Sequence, residues 1–499
     1  MKQRLKIFFS LMLAFSLLAG ISGCKKFLDR KPLGVAIESD ITQGGLEGSV
    51  FGLYGALRNI EGMSAWPYIW FKSIRSDDAQ KGSTPDDAKA EGARFDDFKY
   101  DKAPGVAEGY WNGHYEFIAL CNNVIFQVDS LKLNDPASLV NKGEASFLRA
   151  WAYFDLVRDF GEVPKIDFKV NQTSEANKPK SPIADIYALI DADLQFAAQS
   201  LPLTWEAKYV SRVTKGTANA LIAKTLLYRQ NWAGALAKCE EVINSTQYAL
   251  YTPYAEFFTE KGENSSESLF EVQMFVNANG SEQYTNNYNE VQGVRGSGEW
   301  DLGWGFNAPT QNLVDFYESG DSRKEATILY SGKDDGYGKV VPPSPPLAQP
   351  YWNRKAYTDP ARRIATGDTK AHWLNIRLFR YADVILMAAE AANELGGTEN
   401  ITKALNYLEM IRARARNGNS GGLPQVTTTD QSLLRNAIRK ERRAEFGMEF
   451  ERFYDLVRWG LAPAVLGPLG YQERNKYYPI PQSVIDKSGG VLKQNPDYP

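Results

Sequence analysis

Two long stretches of this chain repeat their apolar residues every three or four positions, and no other feature restricts the fold as much. Residues 107–131 place Ile118, Cys121, Ile125 and Val128 at that spacing. Residues 137–159 repeat it with Phe147, Leu148, Trp151, Phe154 and Leu156, until Gly161-Glu162-Val163-Pro164 stops it. A helix with one apolar stripe has to cover that stripe with a neighbouring element, so two in succession predict a packed pair.

The pattern recurs along the chain. It starts at Leu46–Asn59, returns over 182–199 (Ile186, Leu189, Ile190, Leu194), and continues over 214–229 and into Trp232–Tyr248. The stretch 214–248 resembles a tetratricopeptide unit, a helix–turn–helix with an aromatic near the start and small residues where the helices cross. Further helices are expected over 377–395, closed by Gly396-Gly397, over 401–416, from about 430 to 450, and over 451–459. Stacked hairpins of this kind build an α-solenoid. Loop signals crowd residues 62–109. The middle, 262–376, is rich in Gly, Asn, Ser, Pro and aromatics, with the proline cluster Val341-Pro342-Pro343-Ser344-Pro345-Pro346. Disordered segments are poor in aromatics, so Trp300, Trp304, Tyr351 and Trp352 argue for an ordered, loop-built region here.

The first 24 residues read as an export signal. Lys2, Arg4 and Lys6 precede an apolar run from Ile7 to Leu18, and Ile21-Ser22-Gly23 leads into Cys24. The run is too short for a permanent span. Small residues before a cut and a thiol just after it form a lipoprotein box, so Cys24 is the expected lipidation site and residues 25–40 an extended tether. The division that follows is 1–23 signal peptide, 24–40 lipidated cysteine and tether, 41–261 N-terminal helical region, 262–376 loop-rich aromatic region and 377–499 C-terminal helical region.

Loss of the three cations in residues 1–23 takes the formal charge from −3 to −6, which argues against a nucleic-acid partner. Cys121 and Cys239 lie in helical patterns and read as buried free thiols. The two histidines, His114 and His372, are far apart, and no zinc, P-loop, dinucleotide or serine-nucleophile motif is present. Asp77-Asp78 and Asp86-Asp87 offer oxygen ligands for Ca²⁺, but without EF-hand spacing a solvated loop is the better reading, and no cofactor is expected. The charge cluster Arg439 to Glu445, continued by Glu449, Glu451, Arg452, Asp455 and Arg458, has two readings. Glu441 and Glu445 could act as a carboxylate pair for glycoside hydrolysis, or the cluster could be a structural ion network. The interleaved arginines should keep the acids ionised, which suits the network and not a general acid.

Several of these segments together resemble the SusD/RagB family of outer-membrane nutrient-binding lipoproteins of Bacteroidetes. The resemblance rests on Arg380-Tyr381-Ala382-Asp383 with Ala389-Glu390-Ala391, on Ile411-Arg412-Ala413-Arg414-Ala415, and on Glu441-Arg442-Arg443-Ala444-Glu445-Phe446. It extends through Glu449 to Gly460, Tyr478-Pro479-Ile480-Pro481, Gln494-Asn495-Pro496-Asp497-Tyr498, and Phe27-Leu28-Asp29 after Cys24. It implies a mostly α fold, a tetratricopeptide-like superhelix of four helix pairs with an irregular region packed on it. It also implies a non-enzymatic role: capturing an oligosaccharide or polysaccharide at the cell surface for a SusC-like TonB-dependent barrel, with the protein lipid-anchored in the outer membrane. A lipid-anchored glycosidase and a protein-binding adaptor are the alternatives.

Sugar rings stack on aromatic faces while planar polar groups bind their hydroxyls, and Trp and Tyr supply such faces at low ordering cost. Three stretches carry that mixture. The first holds Trp66, Tyr68, Trp70, Asp77 and Asp78, with Arg75; the second Tyr284 and Tyr288, then Arg295, Glu299, Trp300, Asp301 and Trp304; the third Tyr351, Trp352, Asn353 and Arg354. Trp66, Tyr68, Trp70, Asp77, Asp78, Arg295, Trp300, Trp304 and Trp352 are the candidate ligand contacts. Trp111, Trp151, Trp232 and Trp459 fall in helical periods and are expected to pack.

Overall fold

A computed structural model describes residues 45–59, 62–103, 105–419 and 421–498. The signal peptide, Cys24 and the tether lie outside the described residues.

The apolar spacing marks real helices: α1 (Leu46–Ala56), α2 (Val106–Ser130), α3 (Pro136–Phe160), α4 (Ile183–Ser200), α5 (Lys215–Tyr228), α6 (Trp232–Asn244), α7 (Tyr381–Leu395), α8 (Gly397–Arg416), α9 (Gln431–Phe446) and α10 (Arg452–Arg458). Four of these ten starts are capped by side chains that accept the orphan N–H groups of the first turn. Asp135 accepts from Ser138, Thr214 from Thr217, Asn231 from Gly234 and Asp430 from Leu433. Two boundaries differ from the expected ones. Gly396 both ends α7 and N-caps α8, so α8 starts at Gly397, ahead of its first apolar residue, Ile401. At the other end, α9 stops at Phe446 because Met448 and Phe450 adopt left-handed backbone (φ 65 and 74).

From α2 to α8 each helix packs on the next, α9 covers α7 and α8, and α1 covers α2 and α3. The short links at 229–231 and Gly396 leave their helices no room except to fold back on each other. The fold is thus mostly α, a superhelix of helix pairs with an irregular region packed on it. Helix α3 lies in the middle of its layer and is buried nearly all round, Phe147, Leu148, Tyr153 and Leu156 completely. Cys121 and Cys239 are buried and free, and burial pushes both thiols up, so neither is reactive.

The middle region combines short helical turns with short antiparallel strand pairs, some made with strands outside it. Strand β1 (Ala79–Gly82) pairs with β3 (Phe306–Pro309), β2 (Ser268–Val272) with β6 (Ile376–Arg380), and β4 (Ile328–Tyr330) with β5 (Tyr351–Asn353). At Gly82 (φ 73) the backbone approaches β3 so closely that a Cβ would stand 2.5 Å from the Gly305 carbonyl oxygen. The β1–β3 pair thereby clamps the loop after residue 62 onto the loops around 290–305. Among the described residues no helix is long and apolar enough to cross a membrane.

Buried ion pairs tie the C-terminal helices to this frame. Glu445 is fully buried and receives Arg380 Nη1 at 2.6 Å, Arg323 Nη1 at 3.2 Å and Arg414. Arg380 and Arg414 also reach Glu267, at 2.7 and 3.0 Å. Asp383 takes Lys224 at 2.9 Å and Arg442 at 2.5 Å. The charge cluster is therefore a structural network, as its interleaved arginines suggested.

Candidate functional site

The residue Trp66 opens a single helical turn, Trp66–Ile69, and its N–H donates to Asn287 Oδ1 at 3.2 Å. Its ring is half-buried. It meets Trp304 edge-on, with centroids 5.2 Å apart and planes at 64°, and rests perpendicular to Phe306 at 5.0 Å. Trp304 is also half-buried. Its N–H donates to the Glu290 carbonyl at 2.8 Å, and its own carbonyl accepts from Arg295 at 3.5 Å. Two indoles with part of their surface open thus stand on a base of buried rings, since Trp70 (0% exposed) and Phe306 lie beneath Trp66.

The charged groups around this pair find their partners within the fold. Arg295 pairs with Asp87 and donates to Ser83 Oγ at 3.0 Å; Lys370 Nζ lies 3.0 Å from Asp301. Lys81 Nζ donates to the carbonyls of Gly82, Thr84 and Asp87, at 3.1, 2.7 and 2.9 Å. His372 Nδ1 is 3.0 Å from Asp368, and Nε2 is 3.6 Å from Glu290. Partial burial pulls the His372 pKa down, but the hydrogen bond and charge of Asp368, helped by Glu290, outweigh it and hold the imidazolium above its ordinary range.

The structure joins some of the expected contacts and removes others. It unites Trp66, Trp304 and Arg295. It contradicts four aromatic expectations, because Tyr68 (5% exposed), Trp70, Trp300 (7%) and Trp352 (1%) are buried. Tyr68 packs edge-on against Phe450 at 5.4 Å. Trp300 and Trp352 share a separate small core with Val294, Leu302, Leu329 and Val341, where Trp352 Nε1 donates to Ser331 Oγ at 2.9 Å. These rings build the platform of the loop region and leave almost no face for a ligand.

Asp77 and Asp78 are likewise corrected. They belong to a buried ion cluster and not to a solvated loop: Asp77 Oδ1 takes Arg452 Nε at 2.7 Å, and Asp78 Oδ1 takes Arg443 Nε at 2.7 Å. Burial pushes the Asp77 carboxyl up, and Arg452 and Arg443 overrule it, so it stays ionised. Among the described residues no group of three or more His, Cys, Asp or Glu side chains could hold a metal ion.

Sequence reasoning missed His372 and Glu290 as partners, because only the fold carries residue 372 to 290. It also passed over Trp205, whose loop setting beside Pro202 was a usable signal. Half-buried Trp205 walls a second concavity of about 270 Å³ with Tyr248, Asn264 and Ser266.

A superhelix of helix pairs that carries a loop-built aromatic surface defines a class of scaffold-borne recognition protein. Its relatives name the class. Residues 266–475 match the model of the SusD family, and residues 71–227 match a related model described as starch-binding associating with outer membrane. The chain belongs to the SusD family. A curated relative, SusD-like protein P2 of Formosa agariphila, is 28% identical over 97% of this chain and 98% of its own length. Among solved structures, a laminarin-binding SusD-like protein is 28% identical at a TM-score of 0.76, covering 91% of this chain and 99% of that one. Surface glycan-binding protein A from Bacteroides fluxus is 25% identical at a TM-score of 0.74, covering 92% and 100%.

Proposed function

We propose that this protein binds a neutral glycan at the Trp66–Trp304 surface. The observation that carries this reading is the pairing of two half-open indoles with a rim of charges that are already neutralised. A pyranose can stack on the indole surface, and Arg295, Asp301, Lys370 and Asn287 can bond hydroxyls without leaving their partners. A uronate or sulfated sugar would have to break the Arg295–Asp87 or Lys370–Asp301 pair to gain a counter-charge, which removes its advantage. The laminarin-binding relative supports a glucan-like ligand.

The role is capture, not hydrolysis. The acids best placed by sequence for a catalytic pair, Glu441 and Glu445, are locked to arginines: Glu441 to Arg412 at 2.7 Å and to Arg323 at 2.6 Å, Glu445 to Arg323, Arg380 and Arg414. The protein would be anchored through acylated Cys24 at the outer membrane, facing the cell surface, and would pass its glycan to a SusC-like TonB-dependent barrel. The family assignment and the lipoprotein box support that part of the reading.

Calorimetry against a panel of neutral and anionic polysaccharides tests it. Binding of a neutral glycan that is lost in Trp66→Ala and Trp304→Ala is the expected result. Equal binding by those variants, or no glycan bound at all, refutes the site or the function respectively.

A further inference from the structure

Beyond the glycan surface, the C-terminal helices enclose an open groove of about 490 Å³ whose surface is mainly apolar. Its walls include Leu433 and Ala437 on α9 and Trp459, Leu461 and Val465 after α10. Leu433 is 59% exposed at the mouth of the groove. Four cations also line it, and they divide into two kinds. Arg443 and Arg452 are consumed by Asp78 and Asp77. Arg439 and Lys440, which precede Arg443 on the same helix, have neither hydrogen bond nor ion pair among the described residues. Arg439 lies over the Trp459 ring at 5.0 Å, and its Nε is buried with no acceptor. No acidic side chain lines the groove. Arg439 is half-buried, and although Glu390 and Glu394 act on its charge from a distance, neither forms an ion pair with it, so its guanidinium has no directly bonded anion among the described residues.

We infer that this groove docks a polypeptide segment of a partner protein that carries a carboxylate flanked by apolar side chains. The carboxylate meets Arg439 and Lys440, and the flanking side chains fill the space between Leu433 and Val465. A sugar fits poorly, because Trp459 Nε1 is tied to Glu390 at 2.8 Å, its ring already faces Arg439 and Arg458, and Asn436 is the single neutral amide in the lining. An anionic membrane fits poorly too, since surface association of that kind draws on clusters of roughly 4–8 cations, more than the two that are free here.

The test is selection of a random display library of short peptides on the intact chain, with counter-selection on a Leu433→Asp/Lys440→Glu variant, in which both changes are at exposed positions. The expected result is enrichment of peptides with Asp or Glu between apolar residues, binding the variant roughly tenfold more weakly or worse, with glycan binding unchanged in both proteins. Recovered peptides that bind the variant equally well overturn the inference. So does a library that yields nothing, whether or not phosphatidylglycerol vesicles bind in a Lys440-dependent way.

Discussion

The rings of Trp66 and Trp304 meet edge to face with centroids 5.2 Å apart, although one opens the first loop region and the other closes a loop deep in the middle of the chain. The β1–β3 ladder, Gln80 opposite Ala308 and Gly82 opposite Phe306, brings them together. The contact is specific to the folded chain, and it organises the first prediction.

Replacing Trp66 or Trp304 by alanine should weaken glycan binding roughly tenfold or more, while the double variant loses less than the two single losses combined. Residues in contact are not additive, because the first removal already unsettles the second ring. Titration calorimetry on the three variants measures the shortfall; full additivity would mean that the two rings serve separate ligands or none.

Trp70 and Trp352 are both buried, but only Trp352 has a partner for its indole N–H, Ser331 Oγ at 2.9 Å. Trp70 Nε1 has none. A Trp→Phe change removes similar volume at each site, but at 352 it also breaks a hydrogen bond, leaving the Ser331 hydroxyl only the bond it donates to the Gln349 carbonyl. Trp352→Phe should therefore cost about 1 kcal/mol more than Trp70→Phe, read from chemical denaturation midpoints at equal m-value.

Burial pushes the Glu445 carboxyl up, but Arg414, Arg380 and Arg323 overrule it and hold it well below the usual carboxylate range. A depressed carboxyl contributes stability that is complete above its unfolded pKa, about 4.3, and is lost as pH falls through the lower folded value. Glu445→Gln should destabilise the protein at neutral pH by about 3–5 kcal/mol, because three buried guanidinium groups lose their shared anion. Its stability should also fall less steeply than wild type below pH ~4. Thermal unfolding at several pH values checks both.

The imidazolium of His372 has the opposite sign. Its folded pKa is raised, so the tie to Asp368 and Glu290 is fully present below the unfolded pKa of about 6.5 and is lost as pH rises through the folded value. Because the Glu290 carbonyl holds the Trp304 amide, glycan affinity should decline as pH rises past the ordinary imidazole range, and His372→Gln should flatten that dependence. Affinity measured across this range in both proteins decides the point.

The helices were legible because each buries a stripe. Ile118, Cys121, Ile125 and Val128 repeat every three or four residues whatever packs against them, and the caps Asp135, Thr214 and Asp430 act within their own turn. The ion network was legible in kind, since arginines and glutamates alternate in α9. Its partners Arg323 and Arg380 were not, because they arrive from other parts of the chain.

The candidate site shows the boundary most clearly. Trp66 and Trp70 stand four residues apart, one helical turn, in equally polar surroundings by sequence. Trp70 is sealed by Phe95 and Phe306, while Trp66 keeps part of its ring open beside Trp304. Local periodicity by itself determined which segments become helices, and the C-terminal motifs pointed to the family. Only the tertiary structure decided which aromatics are surface and which are core, because burial is a property of whatever the rest of the chain lays on top of a ring, and that covering comes from residues far away in sequence.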